Sequence, residues 1–166
     1  MKTNLLRVVL LTLVLFMMNS CSSDSETASE EIKSEIIESY FYSASELEAM
    51  NLINEYRVSK GLNTLTKINH LSHKAEEHDV YMIGNNIVNH DNFSDRSQNI
   101  IKALGAKSVS ENIAYNYKTS QAALDAWLLS KGHKENIEGN FTHFGIAIRE
   151  NPIKGRKYYT NIFVKI

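Results

Sequence analysis

Between Ser110 and Ile148 the hydrophobic pattern changes period, and that change limits the chain to few folds. The stretch opens on Glu111 and Asn112, followed by the apolar pair Ile113 and Ala114. It then runs through a helical stripe of Leu124, Trp127 and Leu128 and closes on Phe144, Ile146 and Ile148 at strand spacing. A 3.6-residue period followed by a two-residue period requires a helix packed on a sheet. Gly132 follows the last periodic residues, where helices commonly close through a residue at positive φ. The helix is therefore expected to stop at Gly132. His133 would then stand at a turn beside a rigid element, the kind of position where sites are built, with Asn136 three residues further on.

The flanking chain fits the same architecture. Ser43 and Ser45 each precede a glutamate by three residues (Glu46, Glu48), the spacing of a capping box, so a helix starts there and carries Leu47, Met50, Ile53 and Arg57 to Gly61. A second helix is expected over residues 69–84, with Leu71, Ala75, His78 and Met82 on one face. Ile87 and Val88 suggest a short strand leading to His90. Ser94 is placed to cap a third helix through Ile100, Ile101 and Leu104 to Gly105, and a fourth begins near Thr119 or Ser120. Residues 141–149 and 158–166 alternate as an antiparallel hairpin around Pro152 and Gly155. Helices followed by a small sheet, with no βαβ repetition, define an α+β domain.

The first 42 residues differ in kind. Lys2 and Arg7 precede an apolar run from Val8 to Met18, shorter than the roughly 18 residues needed to span a bilayer, so residues 1–20 are expected to be a signal peptide. Residues 1–21 carry +2 and residues 22–40 carry −5, which leaves +2 for residues 41–166 of the total −1. The acidic, Ser-rich segment cannot bury enough surface to offset its ordering entropy and is expected to be a tether over 21–42, with the folded domain at 43–166. A near-neutral domain excludes the electrostatic signature of nucleic-acid binding. Cys21 is the only cysteine, so no intramolecular disulfide forms.

Several motifs together identify a resemblance. Glu111-Asn-Ile-Ala, then Trp127-x-x-Ser-x-Gly-His-x-x-Asn-Ile, then Phe141-Thr-x-x-Gly-Ile-x-Ile and Tyr158-Tyr-Thr-Asn-Ile-Phe resemble the CAP, or SCP, superfamily of cysteine-rich secretory, venom-allergen and pathogenesis-related proteins, in particular its bacterial secreted branch. Ile53-Asn-x-x-Arg57, Gly61-Leu62, Leu65, His90 and Arg96 fall in the same order, so the likeness runs from about Ser45 to Phe163. It implies an α-β-α sandwich in which about four helices flank a small, mostly antiparallel sheet beside a surface cleft. The position of Cys21 resembles a bacterial lipoprotein cleavage site. That implies an exported, membrane-anchored lipoprotein of the cell envelope, outer membrane or cell surface, bound to the membrane through lipidated Cys21.

By the same resemblance, His90, Glu111 and His133 lie in the family's central cavity, where some members hold a divalent cation. Two neutral imidazoles with water and a carboxylate in direct or supporting contact suit zinc, whereas a buried hydrogen-bond network would tie the same residues together without chemistry. Asn112, Trp127, Asn136 and His143 are the expected supports of the cavity, although His143 could equally face solvent. Family members often carry a second glutamate where this chain has Ser130, so a cation would be held less tightly. Glu111, Ser130 and His133 are the weak catalytic candidates; no G-x-S-x-G or H-E-x-x-H motif accompanies them. His70, His73 and Glu77 have metal-like spacing on one helix but are expected to be solvent-facing, and His78 to be buried and bonded. The reading is a monomeric, lipid-anchored CAP-domain binding module for an extracellular ligand or protein. No cofactor is required, and zinc or another divalent cation is the candidate occupant of the cleft. The alternatives are a metal-assisted or serine-type hydrolase of envelope or extracellular polymer and a carrier of small apolar ligands.

Overall fold

The structure, a computed structural model, describes residues 36–166; the expected signal peptide, Cys21 and most of the tether lie outside them. Helix α1 (Ala44–Ser59) starts at a capping box in which Ser43 Oγ accepts the Glu46 N–H and Glu46 accepts the Ser43 N–H. Of the two candidate boxes it is thus Ser43, not Ser45, that caps the helix. After β1 (Thr66–Lys67) come α2 (Asn69–Asn85), α3 (Phe93–Leu104), β2 (Ser108–Tyr115), α4 (Ser120–Leu129), α5 (Lys131–Ile137), β3 (His143–Glu150) and β4 (Lys157–Lys165). The strands form one sheet in the order β1-β3-β4-β2, parallel between β1 and β3 and antiparallel elsewhere. β2 is therefore a free edge.

Helices cover both faces. Leu71, Ala75 and Ile100 of α2 and α3 pack on Ala147, Ile162 and Val164. Met50, Ile53, Leu124, Trp127 and Ile137 of α1, α4 and α5 pack on Phe144, Ile146 and Phe163. The alternation of β4 supplies both sets, since neighbouring strand residues point to opposite faces. Gly145 lets α2 lie directly on β3: a Cβ there would collide with Leu71 Cβ and the Ser72 backbone nitrogen. Arg57, fully buried, donates to the Asn63, Ile137 and Gly139 carbonyls and so ties α1 to the segment after α5.

Four local expectations are corrected. The tryptophan helix ends at Leu129, because Ser130 takes an extended conformation (φ −95°, ψ 121°), and the chain re-enters a helix at Lys131. Gly132 and His133 are thus the second and third residues of α5, and Gly132 is not among the glycines at positive φ. Ile87 and Val88 form no strand, because Asn86 closes α2 in the left-handed region and the Ile87 N–H returns to the Met82 carbonyl. Asn92, also left-handed, starts α3 in place of Ser94. His70 is buried rather than solvent-facing, since its Nδ1 accepts the Ile37 N–H at 3.2 Å. Residues 37–42, within the expected tether, are bonded to the domain through His70, Asn69 and Glu46.

Candidate functional site

Glu111 is the fourth residue of β2 and, paired with Ile162, faces α2 and α3. Its side chain is 1% exposed, and a buried carboxylate needs charge and hydrogen-bond partners. Arg96 of α3 supplies both in a two-pronged contact, Nε to Oε2 at 2.8 Å and Nη2 to Oε1 at 2.9 Å. The third partner is His90, whose Nδ1 lies 2.9 Å from Oε1 while its ring remains 51% exposed. A carboxylate on Nδ1 favours the tautomer with the proton there, which leaves the lone pair on Nε2. The connection carrying His90 is itself held, by His78 Nε2 on the Asn89 carbonyl at 2.8 Å and by Tyr81 and Asn89 on Asp91. His78 is buried and bonded as its apolar stripe suggests, and burial lowers its pKa.

The opposite wall comes from α4 and α5. Trp127 Nε1 donates to the Ile113 carbonyl at 2.9 Å, and Asn136 Nδ2 donates to the Glu111 carbonyl at 3.3 Å and to Asn112 Oδ1 at 2.8 Å. Asn112 in turn donates to the His133 carbonyl at 2.9 Å. These contacts fix α5 against β2 and place His133 in a cleft of about 360 Å³ whose lining includes Val88, Ile113, Tyr115, Trp127 and Ser130. Burial, and then the field of the nearby His90, lower the His133 pKa, which favours the neutral ring. A neutral imidazole is the form a metal ligand requires.

His90, Glu111, Asn112, Trp127, Asn136, Ser130 and His133 are therefore gathered around β2. His143 is not: it lies on β3, separated from β2 by β4, and its Nδ1 bonds Thr142 Oγ1. The Ser, His and Glu of a relay are not linked, since among the described residues no hydrogen bond joins Ser130 to His133 or His133 to Glu111. His73 pairs with Glu77 at 3.2 Å while His70 points to Ile37, so those two histidines do not converge. Among the described residues no three His, Cys, Asp or Glu side chains cluster to hold a metal; a cation here would have the two imidazoles as ligands and water for the rest. Arg96 is the partner that sequence reasoning left without a role. Its signal was its place six residues after His90, which puts it on the first turn of the following helix.

The model of the cysteine-rich secretory protein family, CAP, matches residues 50–164. The chain belongs to the CAP family. A Bacillus subtilis membrane protein, YlbC, is 32% identical over 127 residues, which is 73% of this chain and 34% of that protein. An extracellular SCP-domain protein of Bacillus anthracis superposes with a TM-score of 0.64 at 29% identity, over 74% of this chain and 40% of that one. An outer surface protein of Borrelia burgdorferi shares the fold, with a TM-score of 0.67 at 20% identity over 78% of this chain and 98% of its own. This CAP chain thus spans well under half of the first two relatives. No helix among its described residues is long and apolar enough to cross a membrane.

Proposed function

We propose that this CAP domain is an extracytoplasmic binding module whose ligand cleft lies along the free edge of β2 and takes a divalent cation between His90 and His133. The observation that carries the reading is the Arg96–Glu111–His90 chain. A buried, charge-compensated carboxylate holds one nitrogen of a half-exposed imidazole, the arrangement that orients histidine ligands at metal sites. Glu111 acts here as a support and not as a ligand, because Arg96 and His90 already occupy both its oxygens. With two protein ligands and no second glutamate at Ser130, the cation is held weakly, as befits a ligand-bridging ion more than a structural one.

The test is calorimetric titration of zinc into the wild type, His90→Ala, His133→Ala and the double variant at about pH 7.5, where an ordinary imidazole of pKa about 6.5 is neutral. Binding by the wild type that is lost in each variant supports the reading. Equal affinity in the double variant, or no binding by the wild type, overturns it. Anchoring through lipidated Cys21 belongs to the same proposal, supported by the short apolar segment before it. Cys21→Ser is expected to move the protein from the membrane fraction to the soluble one; unchanged fractionation would contradict the anchor.

A further inference from the structure

The free edge of β2 is unusual in what it presents. The Asn116 N–H bonds the Lys157 carbonyl at 2.7 Å, so in the antiparallel ladder the alternate residues Glu111, Ile113 and Tyr115 turn their backbone groups to the outside. The indole of Trp127 and the carboxamide of Asn136 occupy the outward carbonyls of Ile113 and Glu111. No carbonyl or side-chain oxygen among the described residues accepts from the outward N–H groups of Ile113 and Tyr115. An edge with the Glu111 and Ile113 carbonyls capped is a poor template for another strand. It offers the Ile113 and Tyr115 N–H groups to a ligand's acceptors, and both residues line the cleft.

At the Tyr115 end of that edge three cations gather, Lys154, Arg156 and Lys157, beside the backbone of Lys118. Arg156 Nη1 donates to the Tyr115 hydroxyl at 2.9 Å, Lys157 Nζ lies 3.4 Å from the Lys118 carbonyl, and Lys154 reaches Asn86 from the same turn. The Arg156 contact and the Lys154 field lower the Tyr115 pKa. Among the described residues none of Lys118, Lys154, Arg156 and Lys157 forms an ion pair. Even Glu150, opposite Lys157 in the β3–β4 ladder, pairs with none of them. Charge left uncompensated beside the free Ile113 and Tyr115 N–H groups fits an oxyanion-bearing ligand.

We infer that the Tyr115 end of the cleft is an anion subsite. Lys118, Arg156 and Lys157 take a carboxylate or phosphate carried by the ligand, while the N–H groups of Ile113 and Tyr115 bond acceptors along its length. The inference rests on the cleft being the ligand site but not on a cation at His90 and His133.

The experiment titrates inorganic triphosphate, hexaglutamate and the neutral peptide hexaserine into the full chain and follows Trp127, the only tryptophan and part of the cleft wall. At least one of the two anions is expected to bind, more weakly as salt rises, and hexaserine is not; which anion binds assigns the subsite to phosphate or to peptide carboxylate. Lys118→Ala with Arg156→Ala, both at exposed positions, is expected to weaken that binding by about tenfold or more with unchanged thermal unfolding. Binding of neither anion, equal binding of hexaserine, or unchanged affinity in the double variant overturns the subsite. Zinc titration is a separate readout, so failure here with zinc bound leaves the cation reading standing, and the reverse result leaves the subsite standing.

Discussion

Glu46 and Glu111 are both buried carboxylates clamped by an arginine, yet they end in opposite ways. Glu46 accepts from the Tyr40 hydroxyl, the Ser43 and Ile148 N–H groups and Arg149, whose own partners are Glu76 and Tyr40. Every contact returns to the fold, and the network closes α1 onto β3. Glu111 accepts from Arg96 through both oxygens, where Arg149 reaches only one oxygen of Glu46, and its last partner is a ring half open to solvent. Each is a buried carboxylate held by an arginine, and the exposure of the final group sets the two apart. What separates a structural carboxylate from a site carboxylate here is therefore where the chain of hydrogen bonds ends, not how strongly the charge is held.

The comparison breaks most visibly at Glu46. Glu46→Ala removes the acceptor of three other donors and of one Arg149 N–H, and is expected to cost about 3 kcal/mol, or roughly 10 °C in Tm, with zinc affinity unchanged; a coupled loss of zinc binding would mean that the two networks are not separate. Glu111→Gln is expected to cost less, about 2 kcal/mol, because the amide keeps one acceptor oxygen for Arg96, but to weaken zinc by at least about tenfold. Thermal melts with and without metal distinguish these. If Tm falls only in the presence of zinc, Glu111 is a ligand and the assignment of a support is wrong.

Asp79 sharpens the comparison because it is buried without an arginine. Only Thr160 Oγ1 donates to it, at 2.6 Å, and its second oxygen has no partner among the described residues. Burial therefore pushes the Asp79 carboxyl well above the usual carboxylate range. A raised folded pKa means that the neutral form is favoured in the fold. The stability is present below the ordinary carboxylate pKa of about 3.9 and is lost as pH rises through the folded value. Asp79→Asn is expected to remove that dependence and to raise Tm near pH 8 relative to the wild type; an equal or lower Tm would show that the carboxylate is compensated after all. The smallest expected effect on stability is that of His90→Ala, within about 0.5 kcal/mol given its exposure, with zinc binding lost. A large drop in Tm would make His90 part of a structural network instead.

Much of this was legible in the sequence. The Ser43–Glu46 box, the stripe through Met50 and Ile53 and the alternation from Tyr158 to Val164 are local patterns, and the structure follows them. The candidate site was legible only through motif order, because spacing alone does not reveal that His90 and His133 flank one strand from opposite layers. What failed depended on backbone choices without a unique residue signal. Asn86 and Asn92 took left-handed conformations expected of glycine, and Ser130 broke a helix that Gly132 was expected to end. β1 pairs through only two exposed residues, too short for periodicity to register. His143 alternated correctly along its strand, but only the strand order puts it two strands away from the cleft.

The central claim is that Glu111 sets His90 in a ligand-ready form before any cation arrives. Nitrogen-15 NMR of the histidine rings in metal-free protein at about pH 8, where an ordinary imidazole is neutral, tests it directly. The account predicts that His90 carries its proton on Nδ1, with Nε2 unprotonated, and that Glu111→Gln loses this preference. A wild-type His90 protonated on Nε2, or a tautomer indifferent to Glu111→Gln, would contradict it.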